Sequence, residues 1–303
     1  MFDRLFKERG LSLDRIRTFY MVAEAGGFTK AAGKGANRQS QFSRQIHELE
    51  EFFGLELLKR HRKGISLTPA GERLRRIARE IFAALEDFKT VCEDEPQRFS
   101  IGAGDALLQW LVFPQVGALQ RALPDVAIDV FGLPTLEIVD RVEDARLDFG
   151  LVRKDAANKT QKFQSLGMED YALFVPRQLL GNQKRPGVNE VIAKVPLTTI
   201  AGEGRFRAGL ERQARKQKLR LTFSLCCSTF PQAARALRSE CYAAILPTIA
   251  ADDLDVTRYV RLAAPFLEAR EICLIWNPRA MKLRPKANTV KDCLLKLLQL
   301  PQP

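Results

Sequence analysis

Between residues 13 and 68 the apolar positions recur at helical spacing. Leu13, Ile16, Phe19, Tyr20 and Val22 form the apolar face of a first helix, ended near Gly26 and Gly27. Thr29 is placed to cap a short second helix over TKAAGKG. A third helix is expected from Gln39, with Phe42, Ile46, Leu49 and Phe53 at i, i+4, i+7 and i+11. At 100° per residue those four lie within about 60° of one another. Ser40, Arg44, His47 and Glu48 fall on the opposite side. After Gly54, the segments LELLKR, HRKG and ISLT read as a two-stranded wing with Arg60, Arg62 and Lys63 near its tip.

Residues 69–95 predict one long helix, opened by Pro69 and preceded by Thr68 as its cap. Leu74, Ile77, Ile81, Leu85, Phe88 and Cys92 follow steps of three and four, a single apolar stripe. About 25 residues at 1.5 Å each make a rod of roughly 37 Å. A stripe of that length needs a cover, and pairing with a second copy supplies one. From Phe99 onward short apolar strands (FSIGAG, VAIDVFGL, LDFGLVR, YALFVP, LTTI, LTFSLCCS, AAILP, VTRYVRL, EICLIW) alternate with helices. That order predicts an α/β class with largely parallel sheets.

Composition fits a soluble globular protein, at 46% hydrophobic and 28% charged residues. No apolar run is long enough for a membrane span, and the charges among the first ten residues break up any signal-peptide core, so a cytoplasmic location is expected. The six cysteines show no CxxC spacing and only two histidines accompany them, so no metal or other cofactor is expected; reduced, mostly buried thiols are. Neither histidine lies in the α/β region and no nucleophile–base–acid set is evident there, so no catalytic residues are assigned and an enzyme is not expected. GGFTKAAGKG fails as a phosphate loop on spacing, and GEGRFR fails as a dinucleotide fingerprint at Arg207. The net charge of +12 is unevenly spread: residues 1–79 hold 17 Lys and Arg against 9 Asp and Glu, an excess of +8. A basic segment around a short helix, a turn and a polar-faced helix suits the major groove of double-stranded DNA, which admits an α-helix.

IRTFYMVAEAGGFTKAA, QSQFSRQIHELEEFFGLELLKR and LTPAG resemble the N-terminal signature of the LysR-type transcriptional regulators over roughly 55 residues. The resemblance implies a winged helix-turn-helix that contacts DNA through Gln39, Ser40, Ser43 and Arg44, with Arg60, Arg62 and Lys63 on the wing. Gly33 and Gly35 depart from the pattern, at about 1 kcal/mol for each helix-interior glycine, as do Asn37 and Arg38. Those four residues support a competing reading, a small-molecule-binding protein whose DNA-binding domain has degenerated.

Residues 97–303 resemble the family's effector domain by element order and by blocks such as RVEDARLDFGLVR and AAILP. This implies a fold like the periplasmic solute-binding proteins, two α/β lobes joined by two crossovers. The expected division is 1–68 for DNA binding, 69–95 for the linker and dimerisation helix, and 96–303 for effector binding. Lobe one then covers about 97–163 and 268–303, and lobe two about 164–267. In such sheets ligands bind beyond the carboxyl ends of strands, which nominates Asp105, Ala106, Thr135, Arg153, Gly202, Ser228 and Thr229. A carboxylate is one effector that Arg153, Ser228 and Thr229 would suit. A dyad DNA site and a homodimer or homotetramer complete the implied partners. Cys226 and Cys227 are expected to be strand packing rather than a redox pair.

Overall fold

The computed structural model describes residues 5, 10–33, 36–61, 64–93, 95–181, 187–201, 205–255, 257–264 and 266–300. The chain divides into two compact units, Met1–Glu95 and Pro96–Pro303.

In the first unit, helices α1 (Leu13–Ala25), α2 (Phe28–Ala32) and α3 (Ala36–Phe53) precede a hairpin, β1 (Leu58–His61) with β2 (Gly64–Leu67), and the long α4 (Pro69–Cys92). Ser12 caps α1 by accepting from the Arg15 amide at 3.2 Å, and Gly26 ends it in the left-handed region at φ 66°. Thr29 is not a cap: Gly27 holds that position, Thr29 lies inside α2, and Gly33 ends the helix at φ 69°. Gly33 therefore sits where a left-handed residue is wanted rather than in a helix interior, while Gly35 lies outside the described residues. Helix α3 starts three residues ahead of Gln39, which takes Asn37 and Arg38 into its first turn. Its apolar face is Phe42, Ile46 and Leu49, all buried with Ile16, Phe19, Val22, Leu57, Leu74 and Ala78 in one core. Leu13 is 54% exposed and stands outside that core.

Four hydrogen bonds seat the hairpin and α4. The Glu50 carboxylate accepts from the amides of Leu57 and Leu58 at 2.8 and 3.1 Å, tying α3 to the start of β1. Thr68 Oγ1 donates to the Glu56 carbonyl at 2.6 Å and accepts from the Gly71 amide at 3.0 Å, which caps α4. Along α4, Leu74, Ala78 and Phe82 pack on the core. The expected single stripe therefore splits: Leu74 is in the core, while Ile77, Leu85 and Phe88 are exposed at 44, 48 and 69%. Together with half-buried Ile81 they form an uncovered apolar row.

The second unit holds two five-stranded sheets. One runs β4 (Val126–Gly132), β3 (Gln97–Ala103), β5 (Phe149–Arg153), β12 (Arg270–Trp276), β6 (Lys162–Glu169). The other runs β11 (Tyr259–Leu262), β7 (Tyr171–Pro176), β10 (Ala243–Pro247), β8 (Leu197–Ile200), β9 (Phe223–Cys227). Both are mixed, which corrects the expectation of largely parallel sheets: β12 is antiparallel to β5 and β6, and β7 is antiparallel to β10 and β11. The cause is the double crossover, because a strand entering a lobe from the other one runs against the right-handed β-α-β order. The expected lobe boundary at residue 163 also moves. Strand β6 pairs along its length with β12, so the first sheet keeps the chain through Glu169 and the crossover is at Asp170. No helix among the described residues is long and apolar enough to cross a membrane.

Candidate DNA interface and ligand cleft

On α3 the burial of Phe42, Ile46 and Leu49 turns the polar side outward, leaving Gln39, Ser40, Arg44 and His47 exposed and Ser43 half-buried. These five residues, with Phe28 and Arg60, line one open concavity of about 750 Å³. Arg60, on β1, donates from Nη2 to Ser43 Oγ at 2.9 Å, and its guanidinium carbon lies 5.1 Å from the centre of the Phe28 ring. The structure thus brings Gln39, Ser40, Ser43, Arg44 and Arg60 together; Arg62 and Lys63 lie outside the described residues. Behind this surface Glu48 takes a bond from Arg15 Nε at 2.7 Å and another from Arg44 Nε at 3.0 Å. The two guanidiniums, Arg44 first, hold the Glu48 carboxyl below the usual carboxylate range.

In the second unit a cavity of about 830 Å³ opens between the sheets. Asp105, Ala106, Thr135 and Arg153 line it from the ends of β3, β4 and β5, and Ser228 and Thr229 from the end of β9. Gly202 lies outside the described residues. Two of the expected hydrogen-bonding roles are modified. Thr229 is the N-cap of the helix Phe230–Leu237, its hydroxyl accepting from the Gln232 amide at 3.3 Å. Arg153 already faces Asp155, with Nε 3.7 Å from a carboxylate oxygen. Asp105 is the first residue of the short helix Asp105–Leu107, whose N-cap is Gly104.

Glu169, Arg270, Phe206 and Phe230 also line the cavity and were not anticipated. Glu169 ends β6 and Arg270 begins β12, where the two strands pair directly at the crossovers. Glu169 is buried and accepts from the Tyr171 hydroxyl at 2.5 Å. Burial pushes its carboxyl above the usual range, against the Tyr171 bond and the charges of Arg270 and Arg153. Burial likewise raises the Tyr171 phenol well above its ordinary value, reinforced by the neighbouring carboxylate. The rings of Tyr171, Phe206 and Phe230 form a cluster with centroids 4.8, 5.8 and 5.0 Å apart. Arg270 lies over two of them, 5.2 Å from Phe206 and 5.9 Å from Tyr171. The cleft therefore combines an aromatic wall with charges of both signs.

The cysteines are less buried than expected. Cys92, Cys226 and Cys241 are exposed, and Cys226 Sγ lies 3.6 Å from Arg207 Nη1. Strand β9 is at the edge of its sheet, so its alternate residues reach solvent.

Residues 93–299 match the family model described as the LysR substrate binding domain, and residues 13–72 match that of the bacterial regulatory helix-turn-helix protein, lysR family. The chain belongs to the LysR family. Relatives within it include the HTH-type transcriptional regulator CysL of Bacillus subtilis, 26% identical over 196 residues, which are 63% of this chain and 66% of that protein. The Hca operon transcriptional activator HcaR of Escherichia coli is 29% identical over 172 residues, 55% of this chain and 57% of its own. The chain spans about half to two thirds of the length of the curated relatives it matches. Among solved structures, a full-length cysteine variant of OxyR from Pseudomonas aeruginosa is similar at a TM-score of 0.65, with 16% identity over 95% of this chain and 98% of that one. Full-length CbnR in complex with its target DNA gives a TM-score of 0.54, with 18% identity over 95% of this chain and 100% of that one. At such identities these likenesses speak to the fold of the LysR members.

Proposed function

We propose that this chain is a sequence-specific DNA-binding transcriptional regulator whose output is set by a small molecule held between the two lobes. The observation that carries the reading is the two-sided recognition helix. Its apolar residues are consumed by the core, while Gln39, Ser40 and Arg44 stand exposed beside Arg60. Gln39 suits an adenine edge, Arg44 a guanine edge, and Ser40, Ser43 and Arg60 the phosphates. The folded core of the first unit favours this over a degenerate DNA-binding domain, since the departures at Gly33, Asn37 and Arg38 are absorbed at a helix end and in the first turn of α3.

The working form in this reading is a dimer or tetramer joined along the uncovered row of α4, so that two recognition helices meet two half-sites of a dyad. The working division is 1–68, 69–95 and 96–303. Asp105, Ala106, Thr135, Arg153, Ser228 and Thr229, with Glu169 and Arg270, form the effector site. The chain acts by binding rather than catalysis, at the nucleoid in the cytoplasm. Effector binding biases the lobes and, through them, the placement of subunits on DNA.

Fluorescence anisotropy with duplexes from upstream of the protein's own gene tests this. Binding should prefer a dyad over random sequence and weaken steeply with salt. Arg44→Ala should cost about 1–3 kcal/mol of discrimination at one base, while Arg60→Ala should weaken all duplexes alike and reduce the salt slope by about 1. No preference for any upstream duplex over random DNA overturns the reading.

A further inference from the structure

Glu48 is not part of the exposed polar row; its side chain is 25% exposed, between Arg15 at 30% and Arg44 at 82%. One carboxylate thus serves two guanidiniums, one on α1 and one on α3. Arg15 Nε approaches Oε2 at 2.7 Å across the unit, fixing the carboxylate from behind. Oε1 then accepts from Arg44 Nε at 3.0 Å, one helical turn away. That bond occupies the Nε edge of the guanidinium. The two Nη groups at its far end, the fork that meets guanine O6 and N7, are not used by it. Ser40, Gln41 and Gln45 complete the shallow pocket in which the three charged groups sit.

We propose that Glu48 is a positioning residue for base recognition: braced by Arg15, it holds Arg44 by its Nε edge so that the terminal fork faces a guanine. The proposal rests on the DNA-binding reading above. An arginine on a free stem reaches phosphate and base edges alike, and pays rotamer freedom on settling into either. A held guanidinium has lost that freedom beforehand, and its fixed plane favours a bidentate acceptor over a single phosphate oxygen. Glu48 also places a negative charge beside the duplex, which disfavours binding of any sequence. The two effects separate on substitution. Without the carboxylate, affinity for arbitrary DNA rises or stays level, while preference at one base position falls.

The test uses the full chain and two probes: a library of duplexes with a randomised core, from which base preferences are read, and one mixed-sequence duplex for non-specific affinity. Glu48→Gln should lower guanine preference at one position about two- to fivefold, in the range expected for an exposed charged pair. Binding of the mixed duplex should be unchanged or tighter. Glu48→Ala should do the same, and in an Arg44→Ala background Glu48→Gln should leave base preference unaltered. A motif that Glu48→Gln leaves intact overturns the proposal, as does an equal effect with Arg44 absent. Parallel loss of affinity for both probes also overturns it, because that marks a role in stability alone. A wild-type selection that enriches nothing instead overturns DNA recognition itself.

Discussion

Gly71 packs the start of the long helix tightly against the Leu57 backbone, and Gly71→Ala turns that contact into a measurement. A Cβ there would collide with the Leu57 carbonyl oxygen and stand 3.1 Å from its carbon and 3.2 Å from Leu67 Cδ2. The oxygen is backbone and already accepts from the Thr68 amide at 3.0 Å, so it cannot swing aside as a side chain would. The helix must retreat by roughly 1 Å to restore an ordinary C···O separation of about 3.3 Å. That movement breaks or stretches two bonds, Thr68 to Leu57 and Gly71 to the Thr68 hydroxyl. At about 1 kcal/mol each, with about 1–3 kcal/mol for overpacking, the loss is about 3–5 kcal/mol. Alanine returns about 1 kcal/mol through helix propensity and a less flexible unfolded chain. The net destabilisation is about 2–4 kcal/mol, a fall of about 10–25 °C in the melting of a unit this size. Both tryptophans, Trp110 and Trp276, lie in the second unit and supply an internal control. Far-UV circular dichroism should show the first unit melting early while tryptophan fluorescence melts as in the wild type. A first-unit transition within about 2 °C of wild type would refute the reasoning, since the close approach would then cost nothing.

Phe88→Glu should convert the proposed dimer to monomer in sedimentation velocity. Two Phe side chains of about 2 kcal/mol each, lost from a symmetric contact, weaken a dimer roughly a thousandfold; an unchanged sedimentation coefficient at low concentration would show that the α4 row is not the interface. Glu169→Gln should change how stability depends on pH. Burial raises the folded carboxyl above its unfolded value, so the folded state holds its proton more tightly, and the wild type loses stability as pH rises from the ordinary carboxylate range through the raised value. Glutamine cannot ionise and still accepts from Tyr171, so tryptophan-monitored melting should show the variant gaining on the wild type as pH rises from the ordinary carboxylate range toward neutrality. A constant difference across that range would mean that Glu169 titrates as an ordinary carboxylate.

Much of the candidate DNA interface was legible in the chain because it depends on local periodicity. Phe42, Ile46 and Leu49 had to share a face, and burying that face fixed what Gln39, Ser40 and Arg44 present. The cleft residues at the ends of β3, β4, β5 and β9 followed from strand order and the implied lobes. Strand β6 escaped notice because it is a sheet edge: within KFQSLGME only Leu166 and Glu169 are buried, so no apolar alternation marks it. Glu169 and Arg270 escaped with it, since only the pairing of β6 with β12 makes them neighbours. Thr29 was misassigned because Thr and Gly are both acceptable caps, and the tertiary position of α2 decides between them.

By itself the sequence determined which face of each helix is oily, where chain direction must turn, and which polar residues are left outside, because those properties are set by residues within a few positions of one another. Only the tertiary structure decided which charges far apart in the chain meet. Arg15 is 33 residues from Glu48, and Glu169 is 101 from Arg270 in the numbering. A charged side chain carries no local mark of its eventual partner, so such pairs exist only once distant segments have packed and the solvent between them has gone.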